Sequence, residues 1–144
     1  MAFQNFWRAL AGPFIWLKYG SNCTYRGRWS NGRFNGYGRL KYSNGSSHTG
    51  LFLNGSKHGF GIFISSSGYQ YSGDWLKGRQ IGRASIRYKN GDAYHGEVNN
   101  GERHGQGELF CLSVGRTYNG TWSRGQLRGE CKILGSSWQF EGEF

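Results

Sequence analysis

The stretch YRGRWSNGRFNGYGRLKYSNG, Tyr25 to Gly45, sets glycine at 27, 32, 36, 38 and 45 among Tyr25, Trp29, Phe34, Tyr37 and Tyr42, and it contains no acidic residue. Its pattern recurs. YRGRW at Tyr25 returns as HTGLF at His48, YSGDW at Tyr71, YHGEV at Tyr94, YNGTW at Tyr118 and FEGEF at Phe140, so the starts are almost evenly spaced. A second element follows each start but the last: GYGRL at Gly36, GFGIF at Gly59, GRASI at Gly82, GQGEL at Gly105 and GECKI at Gly129. A unit this short cannot bury a core alone, so its copies must stack.

Composition agrees. The 144 residues suffice for one domain. Glycine is 26 of them, aromatics are 17%, and there is a single proline. That much aromatic content argues against disorder, and there is no period of three as in collagen.

Side chains alternate along a strand, so the first, third and fifth residues of YxGxW share a face. Pairing the two elements of each unit as a hairpin predicts Trp29 opposite Gly38 and Gly27 opposite Leu40. The later units then predict Phe52 opposite Gly61, Trp75 opposite Ala84, Val98 opposite Gly107 and Trp122 opposite Cys131, large against small each time. Leu40, Phe63, Ile86, Leu109 and Ile133 form an aliphatic column on the buried face. The other face, with Arg26, Arg28, Asp74, Glu97, Thr121, Glu141 and Glu143, is expected to be solvated.

This pattern resembles the MORN repeat (membrane occupation and recognition nexus), roughly YxGxWxxGxxxGxGxxxxxxG, over Tyr25 to Phe144. His48 and Phe140 stand where the pattern has Tyr, Ala84 and Cys131 where it has Gly, and Val98 where it has an aromatic residue. The resemblance implies an all-β fold: one elongated, twisted antiparallel sheet of successive hairpins with an aromatic-lined concave side. It also implies a scaffold or adaptor role in cytoskeletal, ciliary or membrane-junction assemblies. The rings expected to contact a partner in the groove are Tyr25, Trp29, Tyr42, Tyr71, Trp75, Tyr88, Tyr94, Tyr118 and Trp122.

The register extends toward the N-terminus. WLKYGSN at Trp16 lies one repeat length before RLKYSNG at Arg39, so Leu17 and Tyr19 should occupy the columns of Leu40 and Tyr42. Residues 14–24 then form a half unit of a repeat region spanning 14–144, about twelve strands. Residues 1–13 are a separate segment. Phe3, Phe6, Trp7 and Leu10 fall at helical spacing, and Gly12 and Pro13 would end the helix. Such a short helix must dock on the sheet, a membrane interface or another protein. The apolar run from Ala9 to Leu17 is too short to span a bilayer, and no secretory signal is expected. A mitochondrial address is compatible with Arg8 and Lys18.

Charge is distributed unevenly. Residues 1–73 hold eight Lys and Arg and no acid; residues 74–144 hold ten against eight. A half this basic should attract an anionic surface, through Arg8, Lys18, Arg26, Arg28, Arg33, Arg39 and Lys41. The candidates are acidic lipid, an acidic protein and, least favoured, RNA, because the rings are committed to packing and no RNA-binding motif is present.

No catalytic constellation, cofactor motif or metal site is read. His58 and His104 hold equivalent positions two units apart, about 19 Å, far beyond ligand distance of one metal ion, and all four histidines read as turn or surface residues. Cys23, Cys111 and Cys131 show no CxxC and point to a reducing compartment, cytoplasmic, cytoskeletal or ciliary. The last strand, from Phe140, would offer an edge to a partner or a second copy. The reading is thus a non-catalytic scaffold for a protein partner. The alternatives are a peripheral membrane module and a small structural subunit of an organellar complex.

Overall fold

Each unit carries a two-residue connection that forces its strands back on themselves. Asn31-Gly32, Asn54-Gly55, Lys77-Gly78, Asn100-Gly101 and Arg124-Gly125 all have positive φ at both residues. This is the type I′ hairpin turn, whose twist matches that of the flanking strands. Between units the chain uses longer turns, as where the Gly45 amide donates to the Tyr42 carbonyl and the Tyr42 amide to that of Ser46.

The computed structural model describes residues 17–19 and 23–144. It is one sheet with twelve strands in chain order: β1 (Leu17–Tyr19), β2 (Cys23–Ser30), β3 (Arg33–Tyr42), β4 (Ser47–Leu53), β5 (Ser56–Ile64), β6 (Gln70–Leu76), β7 (Arg79–Arg87), β8 (Ala93–Asn99), β9 (Glu102–Cys111), β10 (Arg116–Ser123), β11 (Gln126–Leu134) and β12 (Gln139–Glu143). Every neighbouring pair is antiparallel, and no described residue is helical. Of the half unit expected over 14–24, residues 17–19 and 23–24 are described: Leu17 pairs with Tyr25, as Leu40 does, and Tyr19 pairs with Cys23, as Tyr42 does. The helix expected over 1–13, with Phe3, Phe6, Trp7, Leu10 and Arg8, lies outside the described residues.

The predicted pairing within hairpins is wrong. Gly27 pairs with Gly38, Tyr25 with Leu40 and Trp29 with Phe34. The tight turn is the cause. From Gly27 to Trp29 the first strand advances by two while its partner advances by four, from Phe34 to Gly38, and a bulge absorbs the excess. The same shift puts Phe52 opposite Lys57, Trp75 opposite Gln80, Val98 opposite Arg103 and Trp122 opposite Leu127. Large does oppose small, but across the junction between hairpins: Phe52 against Gly36, Trp75 against Gly59, Val98 against Gly82 and Trp122 against Gly105.

The corrected register draws two continuous rows across the sheet. Tyr25, Leu40, His48, Phe63, Tyr71, Ile86, Tyr94, Leu109, Tyr118 and Ile133 form one, and glycine fills most of the row beside it. The tyrosine rings fold over those glycines. Side chains of Tyr25, Tyr71 and Tyr94 are fully buried, and their hydroxyls donate to the carbonyls of Arg28 (3.0 Å), Asp74 (2.7 Å) and Glu97 (2.8 Å) beside the bulges. Burial pushes the Tyr25 and Tyr94 hydroxyls up to about 12, so they remain donors at neutral pH. Trp75 and Trp122 reach back one hairpin, donating from Nε1 to the carbonyls of Gly61 and Gly107.

Two consequences are measurable. A Cβ on Gly107 would stand 2.1 Å from the Tyr94 hydroxyl oxygen. Gly107→Ala should therefore destabilise the sheet by at least ~1–3 kcal/mol in urea unfolding, as overpacking does. Lys77 occupies the left-handed conformation at φ 48° in a turn position where three other units have Asn. Lys77→Asn should raise stability by about 0.5–1 kcal/mol; no gain would show that the lysine costs nothing there.

Candidate binding faces

The sheet has a ring face and an outer face, and the fold treats the predicted site residues unequally. Of the nine rings expected to line a groove, Tyr25, Tyr71, Trp75, Tyr94 and Trp122 are buried. They are the packing of the sheet rather than its surface. Trp29, Tyr42, Tyr88 and Tyr118 are half-buried, as is Tyr69, which the sequence reading passed over because it lies in a turn outside the repeated elements.

Two cations stand among these rings, and neither was predicted. The Lys57 ammonium lies 4.6 Å from the centre of a Trp75 ring, 4.7 Å from Phe63 and 5.5 Å from Tyr42. Burial lowers its pKa to about 8. The Arg103 guanidinium lies 4.6 Å from a Trp122 ring and 5.9 Å from Tyr88, and its Nη donates to the Gly125 carbonyl at 2.7 Å. Both residues sit opposite the fifth position of the repeat, Lys57 against Phe52 and Arg103 against Val98. The signal in sequence was a cation at the same place two units apart, but only the corrected register turns it toward the rings. Beside Arg103, an open cleft of about 560 Å³ is lined by Tyr69, Tyr88, Lys89 and Asn90.

His48 corrects a second expectation. It is no surface histidine: it occupies the tyrosine position of its unit and is fully buried. It meets Phe52 and Trp75 edge-on, with ring centres 5.2 and 5.0 Å away, and neither ring nitrogen has a hydrogen-bond partner. Burial, and then the charge of Lys57, lower its pKa to about 3. His48 marks a seam between two aromatic clusters, one around Tyr25, Phe34, Leu40 and Phe52, the other running from Tyr71 to Trp122.

The predicted basic residues lie chiefly on the outer face. Arg26 pairs with Arg39, and Lys41 follows two positions along the same strand face. Arg28 stands at the first bulge and Arg33 beside the first turn. Lys18 falls on β1, and Arg8 lies outside the described residues. This face is exposed to solvent, but over β3 to β5 it is apolar rather than polar. Tyr37, Leu51, Phe60, Ile62 and Ile64 all project there, each at least 42% exposed. The repeat reading missed them because they fall between its fixed positions. Among the described residues, no group of three His, Cys, Asp or Glu could hold a metal ion.

Stacked type I′ hairpins with a tyrosine over each small-residue row match a known repeat. The MORN repeat model fits residues 25–47, 48–68, 71–93, 94–111 and 118–139. The chain belongs to the MORN repeat family. Its five matched repeats begin at the five full-unit starts read from the sequence. A search of curated proteins finds no match.

Within this MORN sheet His48 should act as an acid-labile point. Its pKa is depressed in the folded state, so stability is full above about pH 6.5 and falls as pH drops toward 3, with a slope approaching ~1.4 kcal/mol per pH unit. His48→Tyr, which restores the pattern, should add about 1–2 kcal/mol through a new hydroxyl bond at the bulge and should flatten that slope. Urea midpoints of both proteins between pH 4 and 8 check it; parallel curves would place the acid sensitivity elsewhere.

Proposed function

We propose that the protein is a non-catalytic scaffold that holds a segment of a protein partner along the ring face of its MORN sheet, in a cytoskeletal, ciliary or other multi-subunit assembly. One observation carries this reading. Half-buried rings at Trp29, Tyr42, Tyr69, Tyr88 and Tyr118 line that face, with Lys57 and Arg103 held among them by aromatic contacts. Rings that are part apolar and part polar are the residues protein interfaces favour, and cations fixed between rings have already lost much of their side-chain entropy. The contact set therefore differs from the nine rings of the repeat pattern: the buried members set the spacing, and the half-buried ones meet the partner.

Charge selects the partner's chemistry. Lys57 on β5 and Arg103 on β9 are four strands apart, about 19 Å, so an acidic helical segment of about four turns would reach both. None of the three cysteines is in a disulfide, which suits a reducing compartment.

The test uses a photo-crosslinking residue placed at 69 or 88 on the ring face and, as a control, at Asn119 on the outer face, each in the full chain in cells. A discrete adduct from 69 and 88 that Asn119 does not give is the expected result. No adduct from either ring-face position, or identical adducts from all three, would overturn the reading, provided thermal unfolding shows each variant folded.

A further inference from the structure

The outer face of β3 to β5 carries an apolar patch that the fold does not require. Tyr37 pairs directly with Leu51, and Phe60, Ile62 and Ile64 alternate along β5 beside them. Tyr37 is 63% exposed and Phe60 55%. The equivalent positions in later units are polar: Asp74, Glu97 and Thr121 for Leu51, Arg83, Gln106 and Glu130 for Phe60, and Ser85, Glu108 and Lys132 for Ile62. A sheet that folds with carboxylates and amides at these places gains no packing from leucine and phenylalanine there. Contiguous exposed apolar surface of this kind calls for a cover.

The patch ends at Phe60. Beyond it, on the same face, an open cleft of about 530 Å³ runs over Ser72, Arg83, Ser85, His95 and Glu108. Its groups are partly engaged with one another, as Ser85 Oγ lies 2.8 Å from His95 Nδ1. This ground is polar and does not extend the patch.

The chain itself supplies a cover of the right chemistry and length. Residues 1–16 precede β1, and Phe3, Phe6, Trp7 and Leu10 recur at the spacing of one helical face. A helix this short does not hold in water alone, so its stripe must be buried against apolar surface. On the ring face near β1 the apolar side chains are already covered: Tyr25, Phe34, Leu40 and Phe52 are all buried. The outer patch is the apolar surface left open within reach. Residues 11–13 extended and residues 3–10 helical together span about 22 Å. From β1, where the segment is tethered, β5 is four strand spacings away, about 19 Å, and β6 is about 24 Å away. The apolar character of the outer face stops where that reach stops, and the repeat itself draws no such line.

Charge suits the same pose. On a helix with its stripe against the sheet, Asn5 and Arg8 fall on the opposite side. Arg8 then stands away from Arg28 and Arg39, which border the patch on β2 and β3. The C-terminal end of the helix is nearest the tether, and its free carbonyls bring partial negative charge toward those arginines. A tethered segment also acts at a high effective concentration, which a separate partner has to exceed.

We propose that the outer face of β3 to β5, centred on Leu51, Phe60 and Ile62, is the docking surface of the chain's own N-terminal segment, with Phe3, Phe6, Trp7 and Leu10 packed on it. This docking occupies the side of the sheet away from the ring face and does not depend on the scaffold reading.

The experiment is amide hydrogen exchange of the full chain, unaltered and with Phe60→Gln and Ile62→Ser together, read peptide by peptide. The two substitutions introduce residues of the kind later units carry. The expected result is protection of residues 4–10 in the unaltered chain, reduced about tenfold or more by the substitutions, while β7 to β9 keep theirs. Free exchange of residues 4–10 in the unaltered chain overturns the docking. So does protection that survives the substitutions, which places the segment elsewhere on the sheet. Protection that falls on dilution places it on a second copy, and protection that appears only with vesicles of phosphatidylcholine and phosphatidylserine places it on a membrane; either result overturns the docking too. A photo-crosslinking residue at 51 covers the case in which the substituted chain fails to fold. It should link to residues 1–10 of the same chain, and a control at 106 should not. No such link from 51, or equal links from both positions, counts against the docking in the same way.

Discussion

A tyrosine ring laid flat across paired glycines, its hydroxyl bonded to a bulge carbonyl, is the contact on which the sheet depends. A single-layer sheet has no second sheet to bury its apolar face, so it must cover itself. Tyrosine does this in two ways. The ring removes the glycine row from water, and the hydroxyl occupies a backbone carbonyl beside the break in the ladder. Glycine is required beneath it because a Cβ on Gly38 or Gly107 would almost touch the hydroxyl oxygen. Trp75 and Trp122 then tie their hairpins to the ones before through their indole N–H groups. The unit is stable only through its neighbours, as a short stacked repeat must be.

The departures from the pattern have local physical results. His48 supplies ring area without a hydroxyl, and its two nitrogens remain unsatisfied in a fully buried place. The aromatic packing passes through His48, from Phe52 of one apolar cluster to Trp75 of the other. Ala84 and Cys131 enter the small-residue row and remain buried. Val98, in place of the aromatic, pairs with Arg103 inside its own hairpin, and the guanidinium turns to the Trp122 ring of the next unit.

Function follows from which side chains this self-covering leaves over. On the ring face the remainder is a set of tyrosine edges and two cations. On the outer face it is whatever the fixed positions do not dictate, and there the chain changes along its length: basic over β2 and β3, apolar over β3 to β5, mixed polar beyond. That gradient owes nothing to the repeat. It makes the two ends of one regular sheet chemically different surfaces.

The repeat, its phase and the all-β fold were legible in the sequence alone, because glycines recurring at nearly the same places in every unit admit few other foldings. The sequence also located the aliphatic column, since the pairing was misjudged by two residues, Gly27 in place of Tyr25 opposite Leu40, and an even shift leaves each side chain on its face. It did not determine which residues face one another. That depended on the two-residue turns and the bulges they impose, and a bulge is a tertiary compromise between turn twist and ladder hydrogen bonds that no single position announces. For the same reason Tyr25, Tyr71 and Tyr94 passed for contact rings and proved to be core, Lys57 and Arg103 went unnoticed, and His48 seemed ordinary. Burial is a property of what folds over a residue, and only the assembled sheet decides that.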